Sequence, residues 1–341
     1  LIVIGFGIKY SVSPLASEQY GKMWIYDGVV NYQDDLTETE EKQIQQDFKK
    51  QKQVKSTMGI FNKTTTIDSQ MVTIEIPSQP KEFDKYIHMS DYQSGKTLPL
   101  NDQGVYINAK LAELFDLKVG DQMTISLDNK DYKVKIAGIY KLYFRHYMYM
   151  SPTYYKKLTN QEIHYNSQYF KLHQNVNEKA LTKYCDRQKN ITSIQYVSGI
   201  SEGFYSQMES LDSVVLILIV WALAFIVLYN LTNINIQERK SEIATIKVLG
   251  FYPKEVYDYV FRENIILSVI GSIVGLFLGK IIHGYLIRTV EVDMAMFIRS
   301  VNLKCYFIAF ILTMIFTFLI DYYMRRVLKK IDMVESLKSI E

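Results

Sequence analysis

The histidine residues are the side chains best suited to bind a metal ion or to transfer a proton, and their spacing supports neither role. The four histidines of residues 10–211 are spread widely over that part of the chain: His88, His146, His164 and His173. None of them belongs to a His-Glu-x-x-His pattern or to another spacing typical of a metal site. The sequence therefore predicts no metal site.

Nucleophilic catalysis is not indicated either. Serines are plentiful, but there is no Gly-x-Ser-x-Gly sequence and no evident pairing of a nucleophile with a base. The two cysteines, Cys185 and Cys305, lie in different parts of the chain, and Cys305 begins an apolar segment, so we expect no disulfide between them. The acidic residues of 34–47 are typical of a solvated helix face. We therefore expect a non-catalytic protein that needs no cofactor.

Nucleic acid and nucleotides are also poor matches for this chain. The net charge is only +3, and no basic patch with interleaved aromatic residues is present. The segment GLFLGK (275–280) lacks the spacing of a phosphate-binding loop and lies within an apolar stretch. The aromatic run IYKLYFRHYMYM (139–150) is compatible with a ligand surface or with strand packing, and the preference of aromatic residues for strands favours packing.

Three apolar segments in the second part of the chain dominate its organisation. They lie at about 212–233, 264–287 and 304–324. A bilayer is crossed by about 20 mainly apolar residues, so each segment is long enough to span it. Buried core helices of a soluble protein are the alternative, which the length and scarcity of charge disfavour. The opening sequence LIVIGFGI resembles the end of a further span, so we interpret residues 1–9 as a truncated transmembrane helix.

The basic residues of the short loops predict the orientation, because such residues favour the cytoplasmic side. The loop at 234–262 and the tail at 325–341 carry more of them than the loop at about 288–304. We therefore place the first two in the cytoplasm and residues 10–211 outside the cell. The predicted fold class is a membrane protein with an α-helical transmembrane bundle (a stub of one span plus three spans within 212–324) and an α+β extracellular domain.

Local signals predict short helices and strands throughout 10–211. Thr37 and Glu40 match a capping box before a helix at 38–51, and Ser151-Pro152 fits the start of another helix. We further predict helices at 12–23, 108–115, 152–158 and 176–188, and strands at 56–62, 70–76, 83–89, 104–108, 123–127, 132–140, 168–173 and 191–197. Helices and strands alternate without a repeated long βαβ unit, which is typical of an α+β domain.

The loop IQERKSEIATIKVLGFYPKEV (236–256) is too ordered for a simple connection. Ile243, Ile246 and Leu249 recur at a spacing of three, which is typical of one helix face. Gly250 follows where a helix ends in a left-handed residue, and Pro253 suits the first turn of a new helix. The pattern predicts two short helices with a corner at 250–252. A solvated connector is the alternative, but it needs no apolar face.

Three glycines in the second apolar segment indicate close helix packing. Gly271, Gly275 and Gly279 recur every fourth residue and therefore share one helix face. Small residues at that spacing let another helix approach closely within a membrane. The alternative is that glycine is simply common in membrane helices.

The layout and three stretches of sequence resemble the FtsX-like permease family, which includes MacB-type subunits of ATP-binding cassette (ABC) systems. The stretches are QERKSEIATIKVLGFYPKEV, MRRVLKKIDMVESLKS, and VYINAKLAELFDLKVGDQMTISL with the following YKVKIAGIY and YMYMS. The first is the most specific. GFGIKYSVSPLASEQYGKMWIYD resembles the start of the second half of large Gram-positive permeases, so we expect the C-terminal half of such a protein. An independent four-span subunit that dimerises is the alternative.

The resemblance implies that the loop binds a cytoplasmic ABC ATPase dimer. Ile243, Ile246 and Leu249 then supply buried contact beside the break at Gly250. The charged residues that fix register and partner choice are Glu238, Arg239, Glu242 and Lys247. The expected function is a permease of the bacterial plasma membrane that couples ATP hydrolysis elsewhere to export or extraction of a peptide, antibiotic or lipid-linked substrate. The alternative is an FtsX-like transmitter that regulates an extracellular partner such as a cell-wall hydrolase. A second permease half and the lipid bilayer are the other expected partners.

Overall fold

The chain forms two compact units. The computed structural model describes residues 2–33, 36–128, 130–210, 213–238 and 240–329. The helical unit comprises Leu1–Ser13, Leu211–Val290 and Ile298–Glu341. The sheet domain comprises Pro14–Ser210 and Glu291–Phe297. The second of these segments lies far from the rest of the sheet domain in sequence, so the chain returns to that domain between two long helices.

A mixed β-sheet of nine strands organises the described part of the sheet domain. Its strands are β1 (Gly28–Tyr32), β2 (Val54–Ile67), β3 (Gln70–Pro77), β4 (Val105–Asn108), β5 (Gln122–Leu127), β6 (Lys130–Tyr140), β7 (His146–Tyr149), β8 (Ser167–Leu172) and β9 (Ile191–Tyr196). Their order is β5-β6-β4-β7-β3-β2-β8-β1-β9. Strand β3 pairs in parallel with β7, and β4 pairs in parallel with β6. The remaining pairs are antiparallel.

Helices surround the sheet and form the helical unit. In chain order they are α1 (Ile2–Val12), α2 (Leu15–Ser17), α3 (Glu38–Lys49), α4 (Ala109–Leu114), α5 (Pro152–Thr159), α6 (Glu178–Cys185), α7 (Val197–Ser210), α8 (Ser213–Glu238), α9 (Lys240–Val248), α10 (Pro253–Val290) and α11 (Leu303–Lys329). A π-helical turn at Glu18–Met23 and a 3-10 helix at Pro80–Lys85 complete the sheet domain.

Alternation along β3 shows how the strands divide their side chains between two faces. Val72, Ile74 and Ile76 are fully buried in one hydrophobic core with residues of β4, β5, β6 and β7. Successive side chains of a strand point to opposite faces, so Thr73 and Glu75 lie on the other side. A second core, rich in tyrosine, occupies that other side. A carboxylate is thereby brought among aromatic rings.

The predicted helix caps are confirmed. The Thr37 hydroxyl accepts a hydrogen bond from the Glu40 backbone N–H, and the Glu40 carboxylate accepts one from the Thr37 N–H at 3.0 Å. The Ser151 hydroxyl accepts one from the Tyr154 N–H at 3.0 Å, and α5 begins at the next residue. Each bond satisfies a backbone donor that has no partner within its own helix.

The strand predicted at 83–89 is wrong. Residues Pro80–Lys85 form a 3-10 helix, and Ile87 makes only an isolated bridge with Trp24. Phe83, Tyr86, Ile87 and Met89 are all buried, and this irregular spacing does not fit the two-residue period of a strand. Strands β1 and β7 were not predicted separately. Strand β7 lies within the aromatic run, whose interpretation as strand packing is confirmed by the burial of Tyr140 and Tyr149.

The helical unit brings α1 into contact with α8, α10 and α11. Within the described chain, two helices are long and apolar enough to cross a membrane, Lys254–Val290 and Leu303–Arg325. A shorter apolar stretch, Val220–Ile234, lies in α8. The predicted spans at 264–287 and 304–324 fall within the first two. The span predicted at 212–233 falls largely within α8, but its first residue lies outside the described residues.

Candidate functional site

The connection between α8 and α10 contains a sharp corner after α9. Gly250 has φ of +91°, in the left-handed region that residues with a Cβ atom seldom adopt. The Phe251 N–H donates to the Ile246 carbonyl at 3.4 Å, and the Leu249 N–H donates to the Thr245 carbonyl at 3.0 Å. The 251–246 bond spans the helix end as in a Schellman motif. The predicted helix end at Gly250 is confirmed.

A second cap starts α10 on the far side of the corner. The Tyr252 N–H donates to the Glu255 carboxylate at 2.8 Å, and helix α10 begins at Pro253. The Glu255 carboxylate also lies at the positively polarised end of the helix, where negative charge is favourable. The corner, defined here as residues 248–252, is therefore capped from both sides and has a fixed shape.

The inner face of α9 packs within the helical unit. Ile243 is 1% exposed and lies in a hydrophobic cluster with Val256, Phe261, Ile320 and Met324. Ile246 is partly buried against the same cluster. Two of the three residues of the predicted apolar face, Ile243 and Ile246, thus pack against α10 and α11 of the same chain. Ile243 therefore lacks the surface exposure that direct contact with an ATPase needs.

The outer side of the corner carries a different apolar surface. Its four large apolar side chains are strongly exposed: Val248 (59%), Leu249 (72%), Phe251 (52%) and Tyr252 (75%). Contiguous exposed apolar side chains of this kind are typical of interaction surfaces. Leu249 is the predicted contact residue that lies here. Phe251 and Tyr252 lie beyond the periodic face of α9, so the helical pattern did not indicate them, although aromatic residues are enriched at binding interfaces.

The structure describes only some of the charged residues that are predicted to fix how a partner protein docks on the loop. Glu238 and Glu242 are exposed, at the end of α8 and within α9. Arg239 lies outside the described residues, and so does the Lys247 side chain. The sequence MRRVLKKIDMVESLKS lies outside the described residues from position 330 onward. The assignment of these residues to partner recognition stays a prediction.

Polar contacts tie α10 to α11 near the corner. The Asn264 side-chain amide donates to the Asp321 carboxylate at 2.5 Å. The Arg325 guanidinium lies 5.4 Å from the centre of the Phe261 ring, within the range of a cation–π interaction. Together with the Ile243 cluster, these contacts hold α9, α10 and α11 against one another.

The three glycines of α10 lie in two different environments. A Cβ atom added at Gly279 would lie 3.1 Å from the Val3 Cβ atom, so α1 approaches closely there. Added Cβ atoms at Gly271 and Gly275 would meet nothing within 4 Å. These two glycines line a mainly apolar cavity of about 680 Å³ in the helical unit. Their role in packing against a further helix stays a prediction.

The segment Glu291–Phe297, between α10 and α11, belongs to the sheet domain. The Met296 N–H donates to the Tyr143 carbonyl and the Arg145 N–H donates to the Met294 carbonyl, both at 2.8 Å. The Lys110 ammonium group also contacts the Glu291 carboxylate. We call this segment the return segment. Sequence reasoning missed it, since its partners lie more than 140 residues away and no local pattern marks them.

Among the described residues, potential metal ligands are dispersed and both thiols are buried. Among them, no three His, Cys, Asp or Glu side chains are grouped so that they could hold a metal ion. Cys185 and Cys305 are buried free cysteines. Burial raises the pKa of the Cys185 thiol to about 12, so that this thiol stays protonated and unreactive near neutral pH.

Comparison with known proteins gives one sequence match and several structural similarities. A family model described as the FtsX-like permease C-terminal region matches residues 214–332. No curated protein matches the chain. The periplasmic region of MacB from Actinobacillus actinomycetemcomitans is similar over 54% of this chain and 94% of its own, with 11% identity and a TM-score of 0.33.

Two further solved structures are similar over half of the chain. The extracellular domain of the noncanonic ABC-type transporter YknZ from Gram-positive bacteria has 16% identity and a TM-score of 0.31, covering 50% of this chain and 98% of its own. A putative lipoprotein from Bacillus anthracis has 17% identity and a TM-score of 0.27, covering 50% and 96%. All three TM-scores are below 0.5, so these likenesses carry no functional weight.

The sequence match covers about a third of the chain and includes both helices that are long and apolar enough to cross a membrane. Over residues 214–332 the chain is similar to the FtsX-like permease family, as the sequence resemblance predicted. The matched region includes α9, the corner, α10 and α11.

Proposed function

We propose that this chain is the membrane subunit of an ABC system, and that it couples ATP hydrolysis in a separate ATPase to movement of the sheet domain. The exposed apolar corner at 248–252 carries this proposal. Its side chains are too apolar to be favoured in water, and its backbone is fixed by caps on both sides. A groove on a partner protein would bury these side chains, at roughly 25 cal/mol for each Å² removed from water.

The orientation in the membrane is part of the proposal. Helices α8, α10 and α11 cross the bilayer, and α1 lies beside them. The corner and the chain after α11 face the cytoplasm, where an ATPase finds its nucleotide, and the sheet domain lies outside the cell. The basic residues around α9 and after Met324 support this orientation.

The return segment links the end of α10 to the sheet domain, so that movement of the corner can reach that domain. Helix α10 runs without a break from Pro253 at the corner to Val290, directly before Glu291. The next seven residues are held by the sheet domain, and the chain then continues toward α11. A shift of α10 along its axis therefore pulls or pushes on a segment that is hydrogen-bonded to the sheet domain.

Movement of the sheet domain has two candidate functions. One is export or extraction of a peptide, antibiotic or lipid-linked substrate, and the other is regulation of an extracellular partner such as a cell-wall hydrolase. Steady-state ATPase activity of the complex in liposomes separates them. Stimulation by a transported compound supports the first, and stimulation only by a purified hydrolase supports the second.

Co-purification tests the proposal. The double variant Leu249→Asp/Tyr252→Asp places two charges on the corner and is expected to abolish recovery of an ATPase with the full chain. Val119→Asp is the matched control, because Val119 is an apolar side chain of the sheet domain that is 58% exposed. Equal ATPase recovery with both variants would refute the role of the corner.

A further inference from the structure

The sheet domain contains a cavity of about 290 Å³ that the permease function does not use. Its lining combines aromatic rings, Tyr20, Trp24, Tyr26, Tyr147 and Tyr169, with polar and charged side chains. The charged side chains are Glu75 and Arg145. A pocket of this size is at the small end of the range for ligand sites, which indicates a small ligand or one end of a larger one.

Glu75 is the deeper of the two charged groups and is only 3% exposed. It accepts hydrogen bonds from the Asn62 side-chain amide at 3.3 Å and from the Tyr169 hydroxyl. Both donors are neutral, and no described Lys, Arg or His side chain forms an ion pair with this carboxylate. A buried carboxylate without a cation is costly, so the site has an unmet preference for positive charge.

Aromatic rings pack against one another next to Glu75. The Tyr26 and Tyr169 rings are stacked with centres 4.1 Å apart, and Trp24 stacks on Tyr26 at 5.8 Å. The Trp24 indole nitrogen is buried and has no hydrogen-bond partner among the described residues, so an acceptor atom on a ligand would relieve it.

Arg145 supplies the opposite charge at the exposed side of the cavity. Its backbone has φ of +62°, an uncommon conformation for a residue other than glycine, and its N–H is held by the Met294 carbonyl of the return segment. Non-glycine residues in this region are often found at functional sites. The planar guanidinium group of arginine binds carboxylates through paired hydrogen bonds.

We propose that this cavity binds an amino-acid-like zwitterion, whose ammonium group contacts Glu75 and whose carboxylate contacts Arg145. The free amino acid and the end of a short peptide share this chemistry. The site lies within the sheet domain and does not depend on ATPase binding at the corner. Different experiments therefore test the ligand site and the proposed permease function, so that one proposal can fail without the other.

Three small probes that share an alkyl chain test which charges the site requires. The measurements use the full-length protein chain held in lipid nanodiscs. Norvaline carries both charges, n-butylamine lacks the carboxylate, and valerate lacks the ammonium group. Isothermal titration calorimetry is expected to show the tightest binding for norvaline, weaker binding for n-butylamine and none for valerate. Valerate binding as tightly as norvaline, or no heat from norvaline and n-butylamine at millimolar concentration, would overturn the proposal.

Two variants assign the charges to residues. Glu75→Gln is expected to weaken both norvaline and n-butylamine at least tenfold, because the replacement keeps the shape and removes the charge. Arg145→Gln is expected to weaken norvaline and leave n-butylamine unchanged. A thermal melt of each variant checks that it folds. Unchanged norvaline affinity in folded Glu75→Gln would refute the assignment.

Proton release gives an independent measurement. Burial raises the pKa of Glu75 to about 7, so the empty site is partly protonated at neutral pH, and an ammonium ligand lowers that pKa. The other titratable groups near Glu75 are Tyr26, Tyr140, Tyr147, Tyr149 and Tyr169, whose pKa values burial raises further, and the other charged group that lines the cavity is Arg145. Titrations at pH 7 in buffers of different ionisation enthalpy should show protons released by the natural chain and none by Glu75→Gln. Equal proton release by both would count against the site.

Discussion

The Lys110 ammonium nitrogen lies 3.1 Å from a Glu291 carboxylate oxygen, and the two side chains are 9% and 0% exposed. This ion pair joins residues 181 positions apart in the sequence and fixes the first residue of the return segment to α4. Buried ion pairs often contribute little net stability, but the loss of one partner strands a buried charge. The pair therefore makes the attachment of the return segment specific.

Removal of one partner of this pair should be more damaging than removal of both. We expect Glu291→Leu to destabilise the sheet domain by about 3 kcal/mol, because it leaves the Lys110 charge buried, and the double variant Lys110→Met/Glu291→Leu to cost less. Chemical unfolding followed by tyrosine fluorescence measures both. A double variant that is at least as unstable as the single one would contradict this view of the pair.

Helix α10 should tolerate a larger side chain at one of its glycines but not at the glycine that contacts α1. Gly279→Leu is expected to lower the melting temperature of the detergent-solubilised chain by several degrees, since its Cβ atom would lie 3.1 Å from Val3 and overpacking costs about 1–3 kcal/mol. Gly275→Leu is the matched control on the same helix, where an added Cβ atom meets nothing within 4 Å. Equal melting temperatures for the two variants would show that the contact with Val3 has no energetic weight.

The stability of the sheet domain should fall as the pH rises toward neutrality. Burial raises the pKa of Glu75 from 4.5 to about 7 in the folded chain. Between these values the folded state holds a proton that the unfolded state has lost, so stability decreases with increasing pH and the contribution is gone above pH 7. The shift corresponds to about 3 kcal/mol. Unfolding measured from pH 5 to pH 8 should show this loss in the natural chain and a smaller loss in Glu75→Gln.

Local patterns predicted much of this structure, and contacts distant in sequence account for what they missed. Thr37 and Gly250 predicted their helix ends because a cap depends only on a few neighbouring residues. The burial of Ile243 was not predicted, because a periodic apolar face indicates that a helix packs but not what it packs against. Glu75 was one polar residue in an alternating strand, and only the folded sheet brings Tyr26 and Tyr169 to it.

Labelling with a membrane-impermeant thiol reagent tests the proposed orientation. In a background of Cys185→Ser and Cys305→Ala, Val119→Cys is expected to react in intact cells. Leu249→Cys should react only after the membrane is opened. Both native side chains are strongly exposed, so that accessibility in the folded chain does not limit either reaction. Reaction of Leu249→Cys in intact cells would place the corner outside and refute the orientation.

Ile243 and Leu249 belong to one predicted helix face, but the structure gives them different roles. Ile243→Ala is expected to destabilise the helical unit by roughly 2–5 kcal/mol, because it opens a cavity beside Val256 and Phe261. Leu249→Ala should leave stability nearly unchanged, since its side chain is 72% exposed, while it weakens ATPase binding and lowers ATPase stimulation in the complex. Thermal melts combined with pull-down titrations separate the two effects. If Leu249→Ala binds the ATPase as the natural chain does and Ile243→Ala is stable but fails to bind, then the inner face of α9 and not the corner meets the partner.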